Sequence, residues 1–86
     1  MARPAPITAA DLRRAAARVR AQAALVARDG GAIDAGAFNV RVRQSSGTHV
    51  VRGAGIVASC TEGYLRAFRV WADKAEARAV EMEAGG

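Results

Sequence analysis

Cys60 and His49 are the chain's only thiol and only imidazole, and a thiol beside a base is the smallest constellation that performs nucleophilic catalysis. The sequence predicts Cys60 in the first turn of a helix, a position that favours reactive thiols in general. His49 falls near the tip of a predicted β-hairpin, so a continuous strand at ~3.3 Å per residue would hold the two roughly 30 Å apart. That separation argues against an intrachain dyad, and Cys60 reads as a small residue next to a helix cap.

The run Gly53-Ala54-Gly55-Ile56-Val57-Ala58 matches the G-x-G-x-x-A string of dinucleotide-binding folds. The mechanism of that motif needs its glycines in a turn, at a helix N-terminus, inside a parallel βαβ unit. A hairpin precedes this run and no second βα unit exists, so the glycines read as room for a helix to lie against a strand. Metal ligation lacks a ligand supply, because one His, one Cys and scattered carboxylates do not converge. Glu81 and Glu83 project to different sides of a helix, and Glu62, Asp73 and Glu76 read as surface charge. Tyr64, Phe68 and Trp71 recur at helical spacing and read as core before they read as a base-stacking platform. No cofactor is implied.

What remains is arginine. The net charge is +5, and residues 1–60 hold nine Arg against Asp11, Asp29 and Asp34, whereas residues 61–86 hold four basic and five acidic side chains. Arg supplies every positive side chain but Lys74, and its planar fork of donors suits phosphate and carboxylate. Arg41, Arg43 and Arg52 are predicted on one strand face, with Arg13, Arg14, Arg18 and Arg20 on the first helix as further partner-binding candidates. The same charges also fit a solvated outer surface.

The elements that position these residues follow from periodicity. Thr8 is an N-cap with Asp11 as its capping-box partner, and Ile7 and Leu12 stand at staple positions. From Ala9 to about Arg28, Leu12, Ala16, Val19, Ala23 and Val26 form one narrow inward stripe, Leu25 lies off it, and Gly30-Gly31 ends the helix. Residues 32–37 carry no clear pattern. Phe38, Val40 and Val42 alternate with Asn39, Arg41 and Arg43, then Gln44-Ser45-Ser46-Gly47 turns the chain into Thr48-His49-Val50-Val51. A two-residue turn at Ser46-Gly47 sets Val42 opposite Val51 and Arg41 opposite Arg52, keeping valines inward and guanidinium groups outward; a one-residue slip would bury Arg52. The second strand is expected to run on through Ala58. Ser59 and Glu62 read as a capping box opening a second helix, whose inward stripe is Tyr64, Leu65, Phe68, Trp71, Ala72, Ala75, Ala79 and Met82.

The expected fold is therefore α+β, in the order α-β-β-α, an antiparallel hairpin packed on one face by two helices. It forms one small domain over residues 1–86, with a flexible lead at 1–7 and a frayed tail at 84–86. About half of the apolar residues are alanine, which buries little area, so the core is modest and dimerisation is one remedy. A single cysteine fits a reducing cytoplasm, and no apolar run is long enough to span a membrane.

The layout of the basic hairpin, with Gly55-Ile56-Val57-Ala58-Ser59-Cys60-Thr61-Glu62-Gly63-Tyr64 turning straight into an Ala-rich helix, resembles small phage and mobile-element regulators of the anti-CRISPR type. That resemblance implies a compact non-enzymatic module that docks on a CRISPR effector. Many such inhibitors are acidic, whereas this chain is basic, which shifts the expected partner to an acidic protein or a ribonucleoprotein. The sequence reading is thus a non-catalytic binding protein for an anionic macromolecule. Direct DNA or RNA binding, and a structural subunit of a homo-oligomer assembled through the first helix, are the alternatives.

Overall fold

The computed structural model describes residues 7–34, 36 and 40–85. Residues 1–6 of the expected lead at 1–7, the strand start at Phe38 and Asn39, and Gly86 lie outside the described residues. Helix α1 spans Ala9–Asp29 and begins with the expected capping box: the Asp11 N–H donates to Thr8 Oγ1 and the Thr8 N–H donates to Asp11 Oδ2, both at 3.1 Å. Those hydrogen bonds, with the Arg14 charge adding less, hold the Asp11 carboxyl below its ordinary pKa. Leu12, Ala16, Val19 and Ala23 are buried as the stripe predicts, and Leu25 is exposed. At the far end the Gly30 N–H closes the helix on Val26 O at 2.8 Å.

The sheet has one strand more than expected. Strand β1 is Arg41–Ser45, β2 is Thr48–Gly53 and β3 is Ile56–Cys60, all antiparallel in the order β1-β2-β3. The β1–β2 register is the predicted one, with Val42 opposite Val51 and Arg41 opposite Arg52. The correction lies at Ala54-Gly55, where the chain turns instead of running on. Ser46 and Gly47 have φ of 49° and 80°, Ala54 and Gly55 have 54° and 75°, and positive φ at both central residues defines the type I′ turn that suits strand twist. Gly55 therefore serves the turn instead of lying within a long strand.

The extra turn changes the next junction too. Ser59 and Cys60 belong to β3, so the expected Ser59–Glu62 capping box is absent, and the second helix, α2, spans Tyr64–Gly85. Its first backbone bond runs from the Ala67 N–H to Gly63 O at 3.1 Å. Ala84 and Gly85, expected to fray, continue the helix.

The order is α-β-β-β-α, and the helices pack against the sheet as a pair, with α2 across β2 and β3 and α1 along α2. Phe68, Trp71, Ala72, Ala75 and Ala79 are buried on α2 as predicted, Ala67 joins them, and Met82 lies outside at 39% exposure. Alanines at 16, 23, 72, 75 and 79, all fully buried, let the helix backbones approach closely. The Trp71 indole N–H donates to Gly53 O at 3.3 Å, tying α2 to the end of β2. Because α2 lies over β2 and β3, Val51 and Ala58 are fully buried while Val42 on β1 stays 43% exposed.

Candidate functional site

Residue parity sorts the sheet into two faces. Val42, His49, Val51, Ile56, Ala58 and Cys60 share the helix side, whereas Arg41, Arg43, Val50, Arg52, Val57 and Ser59 share the outer side. One outer row reads Arg41, Arg52, Val57 across the three strands, and the next reads Arg43, Val50, Ser59. Arg41, Arg43, Val50 and Arg52 together line a shallow depression of about 300 Å³. The structure thus brings together the three arginines singled out on the hairpin.

Their electrostatics are unrelieved. None of Arg41, Arg43 and Arg52 has an ion pair among the described residues. Arg41 and Arg52 stand directly opposite each other, a like-charge pairing that costs a sheet roughly 0.2–1 kcal/mol. All three are exposed, so each guanidinium keeps its donors available for a carboxylate or phosphate.

The helix arginines behave differently. Arg13 grips Glu83 with a two-pronged contact, Nε to Oε1 at 2.8 Å and Nη2 to Oε2 at 2.9 Å. Arg20 bridges Asp73, at 2.6 Å, and Glu76. The hydrogen bond from Arg13 holds the Glu83 carboxyl below its ordinary pKa, and donating to the carboxylates of α2 raises both guanidinium groups. Arg14 contacts Asp11 at 3.5 Å, and Arg18 is engaged as well. These four candidates lie on α1, on the far side of the sheet from the outer arginines, and do not join them in one face. Sequence reasoning missed Arg66 and Arg69, which border a second basic depression beside Arg20; their i,i+3 spacing on the polar side of α2 was the available signal.

His49 and Cys60 need the plainest correction. The third strand sets them directly opposite each other in the β2–β3 register, on the same face, instead of far apart. The His49 ring meets Tyr64 edge-on, with centroids 4.5 Å apart, and its buried Nδ1 has no hydrogen-bond partner among the described residues. Cys60 Sγ accepts a hydrogen bond from the Glu62 N–H at 3.3 Å. No group of three or more His, Cys, Asp or Glu suited to a metal occurs among the described residues, and no helix there is long and apolar enough to cross a membrane.

The two edges of the sheet also differ. A two-residue turn makes Ser45 and Thr48 a hydrogen-bonded pair, and strict alternation then directs the N–H and C=O of Val42 and Gln44 away from β2. By the same count Val57 points outward from β3, and its carbonyl accepts from Lys74 Nζ at 2.9 Å. No such cover reaches the β1 edge among the described residues. Beside that edge, on the helix side, Val42, Val26, Ile33, Leu65 and Phe68 enclose most of an apolar groove of about 380 Å³.

Comparison of the chain with protein-family models, curated proteins and solved structures returned no match.

Proposed function

We propose that this protein is a non-catalytic docking module that binds an anionic macromolecule through the outer face of its sheet. Arg41, Arg43 and Arg52 supply the charge, and Val50 and Val57 supply apolar contact between them. One observation carries the reading: two like charges face each other across Arg41 and Arg52 with no counterion among the described residues, a stability cost that a bound anion would remove. An acidic protein surface or a ribonucleoprotein fits best, since apolar residues interleave with the guanidinium groups. In the form suggested by the layout of the hairpin and helix, the protein is a phage-type inhibitor of a CRISPR effector, acting in a reducing cytoplasm that suits its free thiol.

The test compares two charge-equivalent triple variants, Arg41→Glu/Arg43→Glu/Arg52→Glu on the sheet and Arg66→Glu/Arg69→Glu/Arg78→Glu on α2. Affinity for poly-glutamate and for a short DNA duplex is measured across a salt series. The sheet variant is expected to lose at least tenfold more affinity for poly-glutamate than the α2 variant. Equal losses would reduce the binding to bulk charge and remove the proposal. Direct nucleic-acid binding through this face instead predicts preference for the duplex, with a log–log salt slope of about −2.7 for three phosphates.

A further inference from the structure

The outer arginines flank a strand edge that no described residue covers, and the chemistry of the two together selects a kind of partner. Val42 and Gln44 present backbone donors and acceptors outward from β1, their side chains face the helix side, and Arg41 and Arg43 alternate with them on the outer side. An extended segment laid antiparallel on this edge would hydrogen-bond Val42 and Gln44 through its own inward-facing residues. The side chain opposite Val42 would extend the inner face over the apolar groove, and those on either side would stand opposite Arg41 and Arg43. These outer positions are the non-hydrogen-bonded pairs, in which cross-strand side chains approach most closely.

We propose that the β1 edge is a strand-addition site for an extended partner segment of alternating acidic and apolar residues, acidic toward Arg41 and Arg43 and apolar toward the groove. The proposal rests on the reading of the outer arginines as partner-facing, and it names the form in which that partner presents its charge. Main-chain hydrogen bonds supply affinity in this mode, and alternate side chains supply selectivity. A second copy of this chain is a poor occupant. Antiparallel pairing of β1 with itself about Val42 sets Arg41 against Arg43 twice, and pairing about Arg43 sets that residue against its own copy. Arginine on an edge therefore deters self-association while leaving the edge open to an acidic strand.

The probe is a fluorescently labelled peptide, Thr-Glu-Leu-Glu-Val-Glu-Thr, titrated with the full chain at low salt and followed by anisotropy. Gln44→Pro removes an outward N–H without touching the ladder to β2, whereas Gln44→Ala keeps it. Saturable binding is expected, at least tenfold weaker in Gln44→Pro than in Gln44→Ala, with circular dichroism confirming that both variants fold. N-methylation of the peptide at Leu and Val should abolish binding, because those residues would donate to β1. No binding to the unmodified chain, or equal binding by both Gln44 variants, would overturn strand addition. If the peptide ignores Gln44→Pro and N-methylation yet fails on the Arg41, Arg43, Arg52 reversal, the edge is excluded while the arginine face stands. If a peptide with Gln in place of Glu binds as well as its parent, the arginine reading fails while the edge survives. Concentration-dependent dimerisation blocked by Gln44→Pro would assign the edge to a second copy and overturn the proposal.

Discussion

Arg20 and Arg52 are the same residue type, both exposed, and they do opposite things for the fold. Arg20 lies where α1 passes α2 and holds Asp73 and Glu76 together, so its charge joins the helices. Arg52 lies on the outer sheet face against Arg41, so its charge opposes the strand pairing it belongs to. The contrast teaches that a basic composition is not one property. Arginines at 13 and 20 are spent on ion pairs between the helices, whereas those at 41, 43 and 52 are presented outward, at a cost to stability where Arg41 opposes Arg52.

Charge reversal should separate the two sets by sign. Arg20→Glu removes two bridges and adds repulsion against Asp73 and Glu76, and urea unfolding is expected to show a loss of roughly 1–2 kcal/mol. Reversing one partner as well, with Glu76→Arg, should restore part of that loss. Arg52→Glu should do the opposite, raising stability by about 0.2–1 kcal/mol, because it sets a carboxylate opposite Arg41. A destabilised Arg52→Glu variant would mean that the outer face carries no unrelieved repulsion, and the argument for a partner would lose its footing.

The smallest expected effect is in acid. Glu83 has a folded-state pKa held below its ordinary value by Arg13, so the Arg13–Glu83 contribution is full above the ordinary carboxylate range and is lost as pH falls through the folded value. Arg13→Met should flatten that part of the stability–pH profile below about pH 4.5. Arg43→Met should leave the profile unchanged, since no carboxylate among the described residues partners it. Equal profiles for the two variants would erase the distinction between spent and presented arginines.

The sequence carried the β1–β2 hairpin far, and its limits are instructive. Val40 and Val42 alternating with Arg41 and Arg43, followed by Ser46-Gly47, specify a register because a slip would bury a guanidinium. The Ala54-Gly55 turn was hidden for a physical reason. Alanine is a poor left-handed residue, so Ala54 at φ 54° is no turn signal, and the surrounding glycines had a packing explanation. The clue lay in phase: Val51, Ile56 and Ala58 are buried, a parity that one continuous strand cannot satisfy, but Val57 is apolar as well and masked the flip. Missing that turn displaced Cys60 from His49 and moved the helix start from Ser59 to the Gly63–Tyr64 junction. The ion pairs of Arg13 and Arg20 were illegible for another reason, since they depend on how two antiparallel helices align across sequence separations of 70 and 53 residues, which local pattern does not encode.

Trp71 is the chain's only tryptophan, 1% exposed, with its indole bonded to the carbonyl of Gly53 just before the second turn. Nature has thereby installed a single optical gauge at the seam between helix and strands. Its emission wavelength registers separation of those layers without any label. Occupation of the solvent-facing arginines, a full sheet thickness away, should leave that colour untouched.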